Sequence, residues 1–222
     1  MENMERLNLD FWKKKKILIT GHTGFKGAWA AFILNKLGAH VSGCALKPKK
    51  NQILYEKLKL KKKLVNDSFF DVSNERKLDY FVKTSKPELI FHFAAQPLVI
   101  ESYKKPLKTV KTNVLGTFNV LNLKKYDFVK NIIIITTDKC YENLNNKSYF
   151  SKSDKLGGKD IYSSSKSCAE LLTQAYRSSF CKNKCISSVR AGNVIGGGDF
   201  GKYRLMNDFF KSYFFKKELI IR

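Results

Sequence analysis

The chain has no run of about 18 apolar residues, so no segment reads as a membrane-spanning helix. Met1 to Asp10 carries Glu2, Glu5 and Asp10 and lacks the apolar stretch of a secretory leader, so a cytoplasmic protein is expected. Cysteine is sparse, five in 222 residues, an odd number that argues against a disulfide framework and for reduced thiols. Cys181 and Cys185 stand four apart with no histidine or second cysteine pair near them, so no metal site is expected. Acidic residues are scarce: 19 Asp and Glu stand against 42 Lys and Arg, a formal charge of +23. That balance raises nucleic acid or an anionic surface as a partner. The lysines are spread over Lys13 to Lys16, Lys47 to Lys50, Lys59 to Lys63, Lys104 to Lys111 and Lys152 to Lys159, with no helix-turn-helix, zinc-finger or aromatic RNA-binding pattern among them. A lysine-rich solvated surface that draws in small anions is therefore expected, and no nucleic acid.

What the chain does carry begins at Lys15. An apolar strand, Ile17-Leu18-Ile19, runs into Thr20-Gly21-His22-Thr23-Gly24-Phe25-Lys26-Gly27 and then into a helix. Glycine at 21, 24 and 27 lets the backbone leave a strand sharply, approach a pyrophosphate without Cβ clashes, and pack the new helix tightly on the sheet. The helix N-terminus adds free N–H groups and a positive dipole end. Gly21, Thr23, Gly24, Phe25 and Gly27 are therefore candidate cofactor contacts. Phe25, Trp29, Phe32, Ile33 and Leu37 recur at helical spacing and are expected to form the face that lies on the sheet.

His40 to Ala45 reads as a second strand. An acidic residue near its end would take the ribose hydroxyls of NAD, but Ala45-Leu46-Lys47-Pro48 stands there and no Asp or Glu occurs between His22 and Tyr55. NAD and NADP both stay open, since Lys47, Lys49 or Lys50 equally suits a 2′-phosphate. Val65 to Phe70 reads as the third strand. Asp71 after it has two readings, an adenine contact or a residue of a helix N-cap region. A helix from Asn74 to Lys86 stops before Pro87. Glu88 to Phe93 is the fourth strand, leading into Ala94-Ala95-Gln96-Pro97, where Ala94 and Ala95 are small enough for a cofactor to cross the strand ends. The next helix, Lys108 to Lys124, is expected to bury Val110, Val114, Phe118 and Leu121, with Asn113 bracing strand backbone. Asn131 to Thr137, with four successive isoleucines, is a central parallel strand covered on both faces. A lysine-rich loop, Asn143 to Asp160, enters a helix from about Tyr162 to Phe180, and Ile186 to Arg190 is the sixth strand. Strands alternating with helices make a doubly wound parallel α/β sheet, a Rossmann-like NAD-binding domain.

Thr137-Asp138-Lys139 ends the central strand, where open α/β sheets bind ligands. Tyr162 and Lys166 are four apart on one helix face. An ammonium one turn from a phenol favours the phenolate, and Thr137 is placed to share the hydrogen bond to a substrate oxygen. Proton removal from an alcohol beside a nicotinamide ring is hydride-transfer chemistry.

The motifs Thr20-Gly-His-Thr-Gly-Phe-Lys-Gly, His92-Phe-Ala-Ala-Gln-Pro-Leu-Val, Thr137-Asp-Lys-Cys-Tyr and Arg190-Ala-Gly-Asn-Val-Ile-Gly-Gly-Gly-Asp resemble, in order, those of the extended short-chain dehydrogenase/reductases that act on nucleotide sugars. Among these they are most similar to the dehydratases of the CDP-sugar branch. The resemblance implies tightly held NAD and a CDP-glucose substrate. Tyr162 and Lys166 would contact the cofactor as well as act in catalysis: Tyr162 takes the sugar 4-hydroxyl proton while Thr137 orients the oxygen. Asp138 would be the acid on the leaving 6-hydroxyl, and Lys139 stands where related dTDP-sugar enzymes carry a glutamate base. By the same resemblance Gln96, Asn193 and Arg204 bind substrate, Asn193 at its diphosphate, and the chain pairs as a homodimer. Members of that family are longer. The expected division is therefore an N-terminal extension (1–14), a dinucleotide-binding domain (15–192) and the start of a substrate-binding lobe (193–222) that is largely missing, with apolar surface exposed from Leu205 to Ile221. A 4-epimerase, which has no need of Asp138 and Lys139, and an NAD-binding chain without turnover are the alternatives.

Overall fold

Alternate residues of a parallel strand belong to opposite faces of its sheet, and that alternation sorts the core into two layers. In the computed structural model, which describes residues 9–49, 52–142, 149–180, 185–201 and 203–219, Ile17 and Ile19 point to one side and Leu18 to the other, all of them at most 1% exposed. The first layer joins Ile17, Ile19 and Val41 to Ala28, Ala31 and Leu34. The second joins Leu18, Ile90, Ile132 and Ile134 to Leu78, Phe81, Val120 and Leu121. Each such buried aliphatic side chain contributes about 1.5–3 kcal/mol.

The strands are β1 (Lys16–Thr20), β2 (His40–Ala45), β3 (Asn66–Phe69), β4 (Leu89–His92), β5 (Asn131–Thr137) and β6 (Cys185–Ala191). They form one sheet in the order β3-β2-β1-β4-β5-β6, every pairing parallel. This is the doubly wound arrangement expected. The chain order reverses between β1 and β4, so their carboxyl ends open a crevice at the switch point. β3 is an edge strand, which is why Val65, expected inside it, is 62% exposed and precedes it. β6 is the other edge, and β5 is buried fully on one face only, at Ile132 and Ile134.

The helices are α1 (Phe25–Lys36), α2 (Leu54–Lys57), α3 (Glu75–Ser85), α4 (Val99–Lys104), α5 (Pro106–Val110), α6 (Gly116–Asn122), α7 (Ile161–Phe180) and α8 (Leu205–Phe215). The expected helix after Asn74 is bounded by local chemistry. Asn74 Oδ1 accepts from the Lys77 N–H at 3.0 Å, and Lys86 closes the end with φ 42°, ahead of Pro87.

Two faces differ from expectation. The sheet face of α1 is Gly27, Ala28, Ala31 and Leu34; Phe25, Trp29 and Phe32 pack at its margin and Ile33 is 50% exposed. The cause is the turn: a Cβ on Gly27 would lie 2.2 Å from the Gly21 carbonyl oxygen, so α1 approaches too closely for large side chains to lie beneath it. The helical run from Pro106 to Lys125 passes through a π-helical stretch at Lys111–Leu115, which rotates its faces. Thr109, Asn113 and Thr117 are buried, while Val110 and Phe118, expected inside, are 42% and 39% exposed. Leu121 is buried as expected.

Lys50, Cys181, the first part of the lysine-rich loop (143–148) and Ile220 to Arg222 lie outside the described residues. Of α8, Phe209, Phe210, Tyr213, Phe214 and Phe215 are between 44% and 73% exposed, as expected of that segment. Among the described residues no helix is long and apolar enough to cross a membrane.

Candidate active site

The glycine turn is built by contacts that only glycine allows. Gly21 has φ +78°, and a Cβ there would meet the Ala94 nitrogen at 2.7 Å. The Gly24 N–H donates to the Gly21 carbonyl at 3.0 Å, closing the turn, and a Cβ on Gly24 would touch only that oxygen, at 3.4 Å. The Gly24 position is thus open on its outer side, at the N-terminus of α1 and over the switch-point crevice. Backbone N–H groups, small residues and open space are what a pyrophosphate requires, so these residues fit a dinucleotide.

Beneath the turn the side chains are locked rather than offered. Thr23 Oγ1 donates to the Leu46 carbonyl at 3.0 Å, tying the turn to the end of β2. The His22 ring occupies the space above Gly43, where a Cβ would meet it at 2.6 Å. Its Nε2 lies 2.8 Å from Asp67, while Tyr55 donates to the other oxygen of that carboxylate. Asp71 accepts the Ser73 N–H at 2.9 Å, so its turn-forming role is realised; the helix cap itself is Asn74.

A second network braces the Ala94-Ala95-Gln96 loop. The Ala94 N–H donates to Thr20 Oγ1 at 3.2 Å, Thr20 contacts His92 Nδ1 at 2.7 Å, and His92 Nε2 contacts Thr117 at 3.2 Å. Thr117 donates to the Asn113 carbonyl. One neutral tautomer, protonated on Nε2, satisfies every member. Burial, reinforced by Lys166, lowers the His92 pKa to about 3. Asn113 accepts the Gln96 N–H at 2.8 Å and donates to the Gln96 carbonyl and to Ser165: it braces the loop after β4 rather than strand backbone. The Gln96 carboxamide, expected at the substrate, is committed to Leu98 and Thr109.

The catalytic pair rides on α7. Asp160 caps that helix, accepting from the N–H and hydroxyl of Ser163 at 3.0 and 2.7 Å. The face that α7 buries is largely polar, including Tyr162, Ser165, Lys166, Ser167, Glu170 and Thr173, an arrangement kept only where every group is bonded. Burial raises the Tyr162 phenol above its ordinary value; hydrogen bonding to Thr137 and the positive charge of Arg204 offset this in part. The Lys166 ammonium reaches the Ile135 carbonyl at 3.4 Å, and burial, then repulsion from Lys26, bring its pKa down to about 8. The expected lowering of Tyr162 by Lys166 is not realised here, where burial raises the phenol.

Thr137 Oγ1 donates to Asp138 at 2.9 Å. Asp138 and Lys139 pair at 3.4 Å, with side chains 37% and 54% exposed, so both face the open side of the crevice. Arg204 lies 3.5 Å from Asp199, and its charge reaches Lys26 as well as Tyr162. Asn193 is exposed just beyond β6. The structure therefore gathers Thr137, Asp138, Lys139, Tyr162, Lys166 and Arg204 at the carboxyl ends of β5 and β6. Lys26 and Glu170 were not singled out from sequence. The signals were there: Lys26 sits inside the glycine turn, and Glu170 is one turn beyond Lys166 on the same helix face.

Residues 18–193 match the family model described as GDP-mannose 4,6 dehydratase. The chain is 41% identical over 224 residues to a CDP-glucose 4,6-dehydratase of Salmonella typhimurium, a match covering 97% of this chain and 62% of that protein. It is 30% identical to a dTDP-D-glucose 4,6-dehydratase of Dictyostelium discoideum, covering 82% of this chain and 44% of that one. In fold it is similar to a dTDP-glucose 4,6-dehydratase of Bacillus anthracis solved in complex with NAD (TM-score 0.75, 22% identity, 91% of this chain and 62% of that one). It is similar too to a UDP-glucose 4-epimerase of Thermotoga maritima solved with UDP-glucose (TM-score 0.79, 22% identity, 91% and 64%). The chain thus spans 62% of the length of the Salmonella relative.

Proposed function

We propose that this chain, which belongs to the GDP-mannose 4,6-dehydratase family, carries the cofactor-binding and catalytic groups of an NAD-dependent CDP-glucose 4,6-dehydratase, a lyase. The observation that carries the reading is the Thr137-Asp138-Lys139 segment beside Tyr162 and Lys166 at the mouth of the switch-point crevice, joined to 41% identity with a protein of that name. The glycine turn with Ala94 and Ala95 would hold NAD, which when bound would supply a reversible hydride acceptor beside the sugar.

In this reading Tyr162 removes the O4 proton. Its raised pKa requires help, which the Thr137 hydroxyl supplies by turning its proton from Asp138 to the phenolate, and the Lys166 ammonium supplies once a ligand draws it from the Ile135 carbonyl. Asp138 protonates the departing 6-hydroxyl. Lys139 removes the C5 proton, which a lysine does only in its neutral form. Both roles require the proton of the ion pair to pass from Lys139 to Asp138, which lie 3.4 Å apart, before the sugar separates them. Asn193 and Arg204 bind the diphosphate, for which an exposed amide and a guanidinium are suited partners. Water leaves across C5 and C6, the protonated Lys139 returns its proton to C5 as hydride is delivered to C6, and the product is CDP-4-dehydro-6-deoxyglucose with no net cofactor consumed.

A cytoplasmic homodimer is the proposed form. Leu107, Val110, Leu115 and Phe118 on the helical run from α5 to α6, and Leu171 and Phe180 on α7, are 39–65% exposed, an apolar surface suited to self-association. The test of function is NMR of the protein with NAD and, separately, CDP-, dTDP-, UDP- and GDP-glucose. A 6-deoxy methyl signal in the CDP sample alone is expected. An epimerised sugar without a methyl signal, or no reaction from folded protein, overturns the dehydratase reading.

A further inference from the structure

The stretch that opens at Arg190 enters the proposed function only through Asn193, yet Arg190 makes some of the most specific contacts in the molecule. Glu170 on α7 is fully buried, a costly place for a carboxylate unless its lone pairs are filled. They are filled from both neighbouring strands. Thr136 of β5 donates to one oxygen, and Ser188 and Arg190 of β6 donate to the other at 2.8 and 2.9 Å. Burial raises the Glu170 carboxyl, but the bonds from Arg190, Thr136 and Ser188 outweigh it and hold the group below its ordinary value, and therefore ionised.

The other arm of the Arg190 guanidinium reaches away from Glu170. It donates to the Tyr141 hydroxyl at 2.9 Å and to the Lys152 carbonyl at 3.2 Å, and its central carbon lies 4.8 Å from the Tyr141 ring centroid. Phe150 stacks on Tyr141 at 4.7 Å with the rings 6° from parallel. Tyr141 directly follows the helical turn Asp138–Cys140. Among the described residues, the Asp138 and Lys139 side chains bond each other and Thr137, so the backbone of this turn sets where they stand. That backbone is held at Cys140, whose carbonyl accepts from Ser167 at 2.8 Å and from the Gly157 N–H at 3.0 Å, at Glu142, whose N–H donates to the Lys155 carbonyl at 2.8 Å, and through the Tyr141 side chain, by Arg190.

We propose that Arg190, fixed by Glu170, is a positioning residue that holds the Asp138–Tyr141 turn against α7 and thereby aims Asp138 and Lys139 relative to Tyr162. A rigid fork is needed because one guanidinium must bond a carboxylate on one side and lie over a ring on the other; a lysine ammonium keeps the charge and loses this geometry. The consequence for chemistry rests on the dehydratase reading: Arg190 governs the loss of water across C5 and C6, not the oxidation at C4, because Tyr162 and Lys166 are held by α7 itself.

Two variants test this, Arg190→Lys, which keeps a cation for Glu170, and Tyr141→Leu, which opens the same contact without touching Glu170. Amide hydrogen exchange of the whole chain without ligand is the first measurement. Exchange at Lys139 to Glu142 is expected to quicken roughly tenfold or more in both variants, with the amides of α7 within about twofold of the unaltered protein. Unchanged exchange at Lys139 to Glu142, or an equal rise throughout α7 and β6, overturns the proposal. This measurement needs no turnover, so it stands apart from the dehydratase reading, which fails on its own if the unaltered chain makes no 6-deoxy product from CDP-glucose and NAD. With turnover, kcat for product is expected to fall about 100-fold with KM nearly unchanged, while the near-ultraviolet absorbance of reduced nicotinamide builds up. Equal loss of reduced nicotinamide and product overturns the assignment to the C5 and C6 step.

Discussion

Tyr162 and His92 show how burial sets what a single side chain does. In the proposed reaction the phenol is the group that touches the reacting oxygen, and interaction with Thr137 offsets part of the rise that burial causes. Tyr162→Phe is expected to lower kcat by about 100- to 10,000-fold, with thermal unfolding shifted little, because the ring and its packing are kept. Turnover within about tenfold of the unaltered protein would remove Tyr162 from the chemistry. His92 makes a prediction about stability. Its pKa falls from the ordinary 6.5 to about 3 in the folded chain, so between these values the unfolded state binds the proton and the native state does not. Stability therefore rises with pH across that window. Acidification from pH 7 toward 4 is expected to cost a few kcal/mol at most through this residue. His92→Gln should flatten that part of a urea-unfolding profile against pH, and an unaltered slope would refute the assignment. Lys166, lowered to about 8, has the same sign in an alkaline window: its buried charge costs stability below that pH, and the cost is relieved as the pH rises toward the unfolded value.

The decisive element is the joint between β1 and α1. Close approach of Gly27 to Gly21 brings α1 down on the sheet and leaves the Gly24 position open. Three substitutions separate these roles. Gly27→Ala puts a methyl 2.2 Å from a backbone oxygen and is expected to destabilise by about 3 kcal/mol or more, since backbone cannot give way as a side chain does. Gly24→Ala, with φ −80° and one neighbour at 3.4 Å, is expected to fold with little loss while weakening NAD binding by calorimetry. Gly192→Ala, with nothing within 4 Å, is expected to change stability by no more than about 0.5 kcal/mol. Equal effects at all three positions would mean that the turn is not the tight joint described.

At the scale of the whole molecule, Leu107, Val110, Leu115, Phe118, Leu171 and Phe180 lie on the outer surface of the α5 to α7 layer, while Thr109, Asn113, Thr117 and Ser165 are buried. Leu171→Glu, at a position 53% exposed, is expected to convert the proposed dimer to monomer in sedimentation velocity without loss of secondary structure; an unaltered sedimentation coefficient would count against a dimer through this face. What the sequence by itself determined were the features that depend on neighbours along the chain. The strand-turn-helix at Gly21 to Gly27, the caps of α3 and the one-turn spacing of Tyr162 and Lys166 follow from backbone freedom and helical period alone. The alternation of strands and helices then led to the sheet. The tertiary structure decided which helix face is buried, because that depends on how closely a partner approaches: Gly27 turned Ile33 outward, and a π-helical stretch turned Val110 and Phe118 outward. It also decided that Gln96 is occupied in its own loop and that Arg190, 49 residues beyond Tyr141, closes on it. Bonds between groups so far apart in the chain have no period, and only the folded sheet brings their partners within reach.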